Sequence, residues 1–239
     1  MAIAYIQNLT AISNASATTH AFTVPAGGVA AGSLLVIQTV IASEVITITG
    51  VADTQGNTYT VNLHYASPGD VVAGTIISGQ IVTPLVSGNT ITITCSSATA
   101  LGGEAAEFSG LATSSVADKT STASPGFGTP WSSGSTATTA QDDELCIGVY
   151  VIAGDIRSTP EGTWTELSDR TYNAPGPGRS MITQYKIVSA TGTYQAQGTL
   201  ASSNDGGALI ITYKAAAAGG GTTITGVGKR LRSFIYSQG

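Results

Sequence analysis

Carboxyl groups are the side chains that could most readily do chemistry in this 239-residue chain. A glycosidase needs two of them about 5–10 Å apart. Glu104 and Glu107 in GGEAAEFSG lie three positions apart, so on a strand they face opposite sides and cannot form such a pair. Asp142, Asp143 and Glu144 precede an apolar segment, which is typical of a solvated strand start. The sequence therefore reveals no catalytic carboxylate pair.

Other catalytic and metal-binding patterns are also missing from the sequence. His20 and His64 each stand alone in strand-like segments and are expected at the surface or half-buried. No GxSxG, GxxxxGK[ST] or HExxH motif occurs. Asp53 and Asp205 lie in DTQGN and SNDGG, where a turn is favoured over a calcium site. We expect a non-enzymatic protein with no catalytic residue, no metal site and no cofactor.

The two cysteines, Cys95 and Cys146, lie inside apolar strand-like segments. They lack the spacing of a zinc site and are too few for a disulfide scaffold. Two buried free thiols are favoured, and a cross-sheet bridge stays open as the alternative.

The elements that must carry these residues are β-strands. Charged residues make up only 10% of the chain, and 30 glycines are present, which argues against a helical bundle or coiled coil. About ten segments rich in Val, Ile, Thr and Tyr, such as LLVIQTVIA and NTITITCS, alternate with turn strings such as PAGG and SNDGG. This pattern predicts an all-β fold, a two-sheet β-sandwich of the jelly-roll type.

Two halves of the chain resemble each other. LLVIQTVIA, GNTYT, ISGQIV and GGEAAEF recur in order as ELCIGVYVIA, GTWT, ITQYKIV and GGALIITY, with Tyr59 matched to Trp164. We predict a pseudo-repeat of residues about 20–111 and 141–214, and we expect the halves to complete one sandwich because each alone would expose sheet edges. The domain would span residues 1–214.

The segment from about 112 to 140 is predicted to be a long crossover between the halves, with room for a strand or two of its own. It is poor in large apolar residues. Phe127, Pro130 and Trp131 are expected to pin it to the sandwich surface, and a ligand platform at these rings is the less favoured alternative.

The C-terminal end differs in composition and charge from the rest of the chain. Residues 1–214 have a net charge of −8, whereas residues 215–239 hold Lys229, Arg230 and Arg232 and no acid. Residues 215–221 form an Ala/Gly linker, and 222–239 have the character of a docking peptide. The acidic body disfavours specific nucleic-acid binding, and the longest apolar stretch is too short to span a membrane.

The motifs VPAGGVAAGSLLVI, ADTQGNTYT, GNTITITCS and EAAEFSGL, in this order, resemble a β-sandwich domain of structural and prophage-encoded proteins of tailed bacteriophages. The resemblance covers residues of about 20–214. It implies a capsid decoration protein, a head fibre or a tail-fibre module, located in the virion and assembled in the host cytoplasm. It brings no catalytic residues with it, and the C-terminal segment lies outside the resembling region.

The leading hypothesis is therefore a capsid decoration or auxiliary head protein that is a homo-oligomer bound to other virion proteins. It would attach through its C-terminal peptide, with contacts from Ile224, Val227, Lys229, Arg230, Leu231, Arg232, Phe234, Ile235 and Tyr236.

The alternative is a tail-fibre or head-fibre module that binds a host-surface glycan or receptor. Its candidate ligand surface consists of the aromatic residues Tyr65, Trp131, Trp164 and Tyr172. A third hypothesis, a glycoside hydrolase or lyase, would need the carboxylate pair that the sequence does not reveal.

Overall fold

The computed structural model of the chain describes residues 2–9, 12–67, 69, 72–154, 156–172 and 178–217. Fifteen strands and no helix are found among them, and hence no helix that could cross a membrane. The first seven strands are β1 (Ala4–Asn8), β2 (Ile12–Thr23), β3 (Leu34–Ile41), β4 (Ile48–Asp53), β5 (Thr58–Ser67), β6 (Val72–Gln80) and β7 (Thr90–Ser109). The others are β8 (Ala117–Ala123), β9 (Gly128–Ser132), β10 (Asp143–Ile152), β11 (Ser158–Pro160), β12 (Thr165–Tyr172), β13 (Arg179–Ser189), β14 (Gln197–Asn204) and β15 (Gly206–Lys214).

Two large antiparallel sheets pack face to face, which confirms the predicted all-β sandwich. The first has the order β1-β7-β3-β6-β5, and the second has the order β12-β13-β10-β15-β8. Strand β7 is 20 residues long. Its second part pairs with β3 and β1, whereas its first part pairs with β4 and with most of β2. A separate three-stranded sheet, β11-β14-β9, completes the structure.

The strand order of residues 1–111 matches that of residues 112–215. The large sheet of the first half has the order β1-β7-β3-β6-β5, and the corresponding order in the second half is β8-β15-β10-β13-β12. In the same way, the pairing of β7 with β2 and β4 corresponds to the small sheet β9-β14-β11. This shared order supports the pseudo-repeat. The repeat and the jelly-roll connectivity stay predictions.

Three apolar cores hold the layers together. The inter-sheet core lies between the large sheets and includes Val36, Ile76, Ile147 and Leu209. The first outer core covers the other face of the first sheet, and the second outer core lies between the second sheet and β11-β14-β9. All eight residues of β3 are buried, because alternate side chains enter cores on opposite faces.

The segment 112–140 contains two strands, β8 and β9, which agrees with the strand or two for which the prediction left room. The predicted pinning holds for Trp131, which is buried, but is wrong for Phe127, whose side chain is 76% exposed, and for Pro130, which is also exposed. Backbone pairing of β9 with β14, rather than burial of all three rings, attaches this segment.

Candidate functional site

Trp131, predicted as part of a ligand surface, lies inside the second outer core. Its indole ring is 2% exposed and stacks on Tyr150, with ring centroids 4.9 Å apart. Its Nε1 donates a hydrogen bond of 2.9 Å to the Ser158 hydroxyl. The expectation of an exposed ring is therefore wrong, because pairing of β9 with β14 turns this ring inward.

Tyr172 and Tyr65 hold the two large sheets together. The Tyr172 ring, 3% exposed, lies over Gly102, where an added Cβ would come within 2.2 Å of the ring. The half-buried Tyr65 covers Gly207 in the same way, at 2.9 Å. Each tyrosine comes from the edge strand of one sheet and covers a glycine of the other. A ligand surface at Tyr172 is thus contradicted by its burial, and most of Tyr65 is engaged between the sheets.

Trp164 is half-buried and lines a cavity of about 230 Å³. The cavity lies at one end of the second outer core, against which Trp164 and Tyr194 pack. We call it the Trp164 cavity and define it by Glu161, Trp164, Lys186, Tyr194, Gln195 and Gln197.

Lys186 was missed by the sequence analysis. It lies on β13 opposite Cys146 of β10, on the face that sends Ile182 into the second outer core. A cation inside a strand-like segment, between Tyr185 and Ile187, was the available signal. Its Nζ lies 5.9 Å from the centroid of the Tyr194 ring, and it forms no ion pair within the described part of the chain.

The polar groups of the cavity are held by hydrogen bonds to one another. Glu161 Oε1 accepts a bond of 2.7 Å from the Thr199 hydroxyl, and Oε2 accepts one of 3.2 Å from Gln197 Nε2. Gln195 Nε2 donates to Gln197 Oε1. The Glu161 carboxylate is thus held in place by two neighbouring side chains.

The corresponding place in the first half is closed. Gly79 of β6 pairs with Leu35, the second apolar residue of β3, just as Lys186 of β13 pairs with Cys146, the second apolar residue of β10. The Tyr59 ring covers Gly79 so closely that an added Cβ would lie 2.4 Å from the ring. The Tyr59 hydroxyl donates to Asp53 at 2.8 Å. Burial and the Asp53 carboxylate raise the pKa of Tyr59 above its ordinary value. Trp164 and Lys186 line a cavity, whereas the Tyr59 ring occupies the space over Gly79.

The prediction that Glu104 and Glu107 face opposite sides is confirmed. Glu104 points between the sheets and forms a 2.9 Å ion pair with Arg170. Burial raises the pKa of its carboxyl, against the lowering effect of Arg170 and of hydrogen-bonding neighbours. Glu107 points the other way and accepts bonds from Gln7 Nε2 and the Ser33 hydroxyl at 2.7 and 2.6 Å.

A carboxyl pair does exist, at Glu144 and Asp118. The expectation of a solvated strand start holds for Asp142 and Asp143 but is wrong for Glu144, which is fully buried. Burial and the neighbouring Asp118 raise the pKa of Glu144 to about 7, although a hydrogen bond from Thr212 opposes the rise. Asp118 is thus close enough to Glu144 to disfavour its charged form.

The cysteines and histidines are buried or half-buried. Cys95 and Cys146 are buried free thiols, as favoured from the sequence. His64 is half-buried, but His20 is buried, with Nε2 3.1 Å from the Ala17 carbonyl oxygen. Asp53 accepts backbone bonds from residues 55 and 57, which confirms its turn role. Within the described ranges, no three His, Cys, Asp or Glu residues are grouped to hold a metal ion.

The docking residues Ile224, Val227, Lys229, Arg230, Leu231, Arg232, Phe234, Ile235 and Tyr236 lie outside the described residues. The start of the predicted linker is described and is attached to the sandwich. Ala215 N donates to the Asp143 carbonyl oxygen at 3.0 Å, and Ala216 N donates to that of Gly110 at 2.8 Å. Residues 215 and 216 are thus held at the end of the sandwich where β7 ends and β10 begins.

Comparison of the chain with protein families, with curated protein sequences and with solved structures finds no match.

Proposed function

We propose that this chain is a non-enzymatic structural protein of a bacteriophage particle, a capsid decoration or auxiliary head protein that attaches through residues 222–239. The observation that carries the proposal is the attachment of Ala215 to Asp143 of β10 and of Ala216 to Gly110, which directly follows β7. A segment that begins at such a point transmits force from a partner to the whole sandwich. Repeated attachment to a symmetric shell would add avidity to a weak single contact.

The state of the carboxyl groups supports a non-enzymatic role. Glu104 is paired with Arg170, Glu107 accepts three or more hydrogen bonds, and Glu144 is buried against another carboxyl. Each of these three carboxyl groups is enclosed between strands. None of the three is placed at the Trp164 cavity.

Deletion of residues 219–239 tests the attachment. We expect the deletion variant to stay folded, with an unchanged urea midpoint, and to lose co-sedimentation with purified particles of the phage whose genome encodes it. The full-length Phe127→Ala variant, altered at an exposed ring of the sandwich, is the matched control and should co-sediment. Co-sedimentation of the deletion variant at the level of the full chain would refute the proposal.

The alternative, a fibre module that binds a host glycan or receptor, now depends on one of its four aromatic residues. Trp131 and Tyr172 are buried, and Tyr65 packs between the sheets. Trp164 alone among the four lines a cavity among those described.

A further inference from the structure

We propose that the Trp164 cavity binds one pyranose unit that carries a carboxylate, such as a uronic acid residue of an acidic polysaccharide. This inference goes beyond attachment to a particle and does not depend on it. It rests on the shape of the cavity, on its aromatic walls, on its fixed amide groups and on Lys186.

The size of the cavity limits the ligand. Its volume of about 230 Å³ is below the roughly 300 Å³ at which pockets for drug-sized molecules begin. One sugar ring, rather than an extended oligosaccharide, is the unit that such a space can enclose. Neighbouring sugar units of a polymer would lie outside it, over Thr163 and Thr193, which also line the opening.

The walls suit a sugar ring because they combine flat apolar faces with hydrogen-bonding groups. Trp164 and Tyr194 each pack their ring partly against the second outer core and leave the rest exposed. The C–H groups on one face of a pyranose pack against such a ring, while its hydroxyls point sideways. Aromatic side chains therefore recognise the apolar face of the ligand.

The sideways hydroxyls would meet groups that are already in position. Glu161 is held by Thr199 and Gln197, and a carboxylate that accepts two hydrogen bonds still has lone pairs for others. The amide of Gln195 is bonded to Gln197 and is exposed to solvent. Because these side chains are fixed before binding, little conformational entropy is lost on contact with a ligand.

Lys186 supplies the charge selectivity. It is half-buried and forms no ion pair in the described part of the chain, although the Glu161 carboxylate lines the same cavity. An anionic group on the ligand would compensate the positive charge of Lys186. In the first half of the chain, Gly79 occupies the strand position that corresponds to Lys186, so the fold does not need a cation at this position.

Titration of the full chain with two methyl glycosides tests the inference. We expect methyl β-D-glucuronide to bind with a Kd of about 1 mM, a value typical of a ligand of this size, and about fivefold more tightly than methyl β-D-glucoside at low salt. Fivefold corresponds to about 1 kcal/mol, the attraction of two unit charges 4 Å apart in water. Chemical-shift changes in NMR spectra measure both affinities, and sodium acetate serves as the anion without a sugar ring.

Two variants separate the contributions. Lys186→Gln should bind both sugars equally, and Trp164→Ala should bind neither. Phe127→Ala is the aromatic control and Lys214→Gln is the charge control. Both controls should bind the two sugars as the unaltered protein does. Unchanged circular dichroism establishes that each variant is folded. The inference is overturned if neither sugar binds at 20 times the expected Kd of about 1 mM, if both bind equally to the unaltered chain, or if acetate binds as tightly as the glucuronide.

Discussion

Replacement of Glu144 by Gln should make the protein more stable at alkaline pH and change its stability at pH 5 much less. The Glu144 carboxyl is fully buried against Asp118 and Thr212. Asp118 is held in its charged form by Lys119 Nζ at 3.1 Å and by the backbone N–H of Ala140 at 2.7 Å. A protonated Glu144 suits this buried position, whereas a charged Glu144 would be repelled by Asp118. The Gln amide is likewise neutral and does not titrate.

The magnitude follows from the pKa of Glu144, which is raised from 4.5 to about 7 in the folded protein. Between these two pH values the folded state binds more protons than the unfolded state, so the free energy of unfolding falls as the pH rises. The raised pKa corresponds to a loss of at most about 3 kcal/mol in the free energy of unfolding at pH 8. Because Lys119 is partly open to solvent, which screens the site, we expect about 1.5 kcal/mol.

Other titrating groups change stability in the same pH range, so the two proteins must be compared. Burial lowers the pKa of His20 and of His64, and this makes stability rise with pH near 6.5. The pKa of Asp118 is lowered from 3.8, so its contribution is lost only in more acidic solution. The difference between Glu144→Gln and the unaltered protein cancels the histidine contribution.

Urea unfolding, followed by tryptophan fluorescence at four pH values from 5 to 8, measures this difference. The free energy of unfolding of Glu144→Gln should exceed that of the unaltered protein by about 1.5 kcal/mol at pH 8 and by much less at pH 5. Asp143→Asn, a change at the exposed neighbour, is the matched control and should show a difference that does not vary with pH. A pH-independent difference for Glu144→Gln would refute the assignment of a proton to this carboxyl.

Two further predictions concern packing and thiol reactivity. Gly102→Ala should lower the free energy of unfolding by about 1–3 kcal/mol, because the added Cβ would press on the Tyr172 ring. Gly50→Ala, which places a Cβ in open space, is the control and should change this free energy little. Equal urea midpoints for the two variants would contradict this packing. Burial raises the pKa of Cys146 to about 12. Its thiol should therefore resist a disulfide reagent at pH 8 until urea unfolds the protein. Rapid labelling of Cys146 in the folded protein, located by mass spectrometry, would count against its burial.

The sequence predicts the features that depend on local alternation. The period of two along a strand correctly places Glu104 and Glu107 on opposite faces. The apolar runs that become β3 and β10 are buried on both faces, as their unbroken hydrophobicity indicates. These outcomes need no knowledge of which strands are neighbours.

The features that the sequence misses depend on partners distant along the chain. Glu144 resembles a solvated strand start until β8 brings Asp118 beside it, 26 positions away. Trp131 lies among Gly, Ser and Thr, and the pairing of β9 with β14 is what buries it. Lys186 and Trp164 meet only because the strands on either side of the intervening loop are adjacent. Such contacts are set by tertiary pairing rather than by local pattern.

The shared strand order makes each half a reference for the other. Ser33 and Glu107 form a hydroxyl–carboxyl contact at the start of β3, and Glu144 and Thr212 form one at the start of β10 with the two groups exchanged between strands. The same backbone position thus tolerates different side chains.

It follows that the open Trp164 cavity is not imposed by the topology. The first half closes the corresponding place with an aromatic ring over a glycine and a hydroxyl–carboxylate bond, which is the better packed solution. A half-buried cation with no ion pair in the described part of the chain is unfavourable for stability unless something compensates it. The anionic ligand proposed for the Trp164 cavity would compensate it, and this would account for the difference between the two halves.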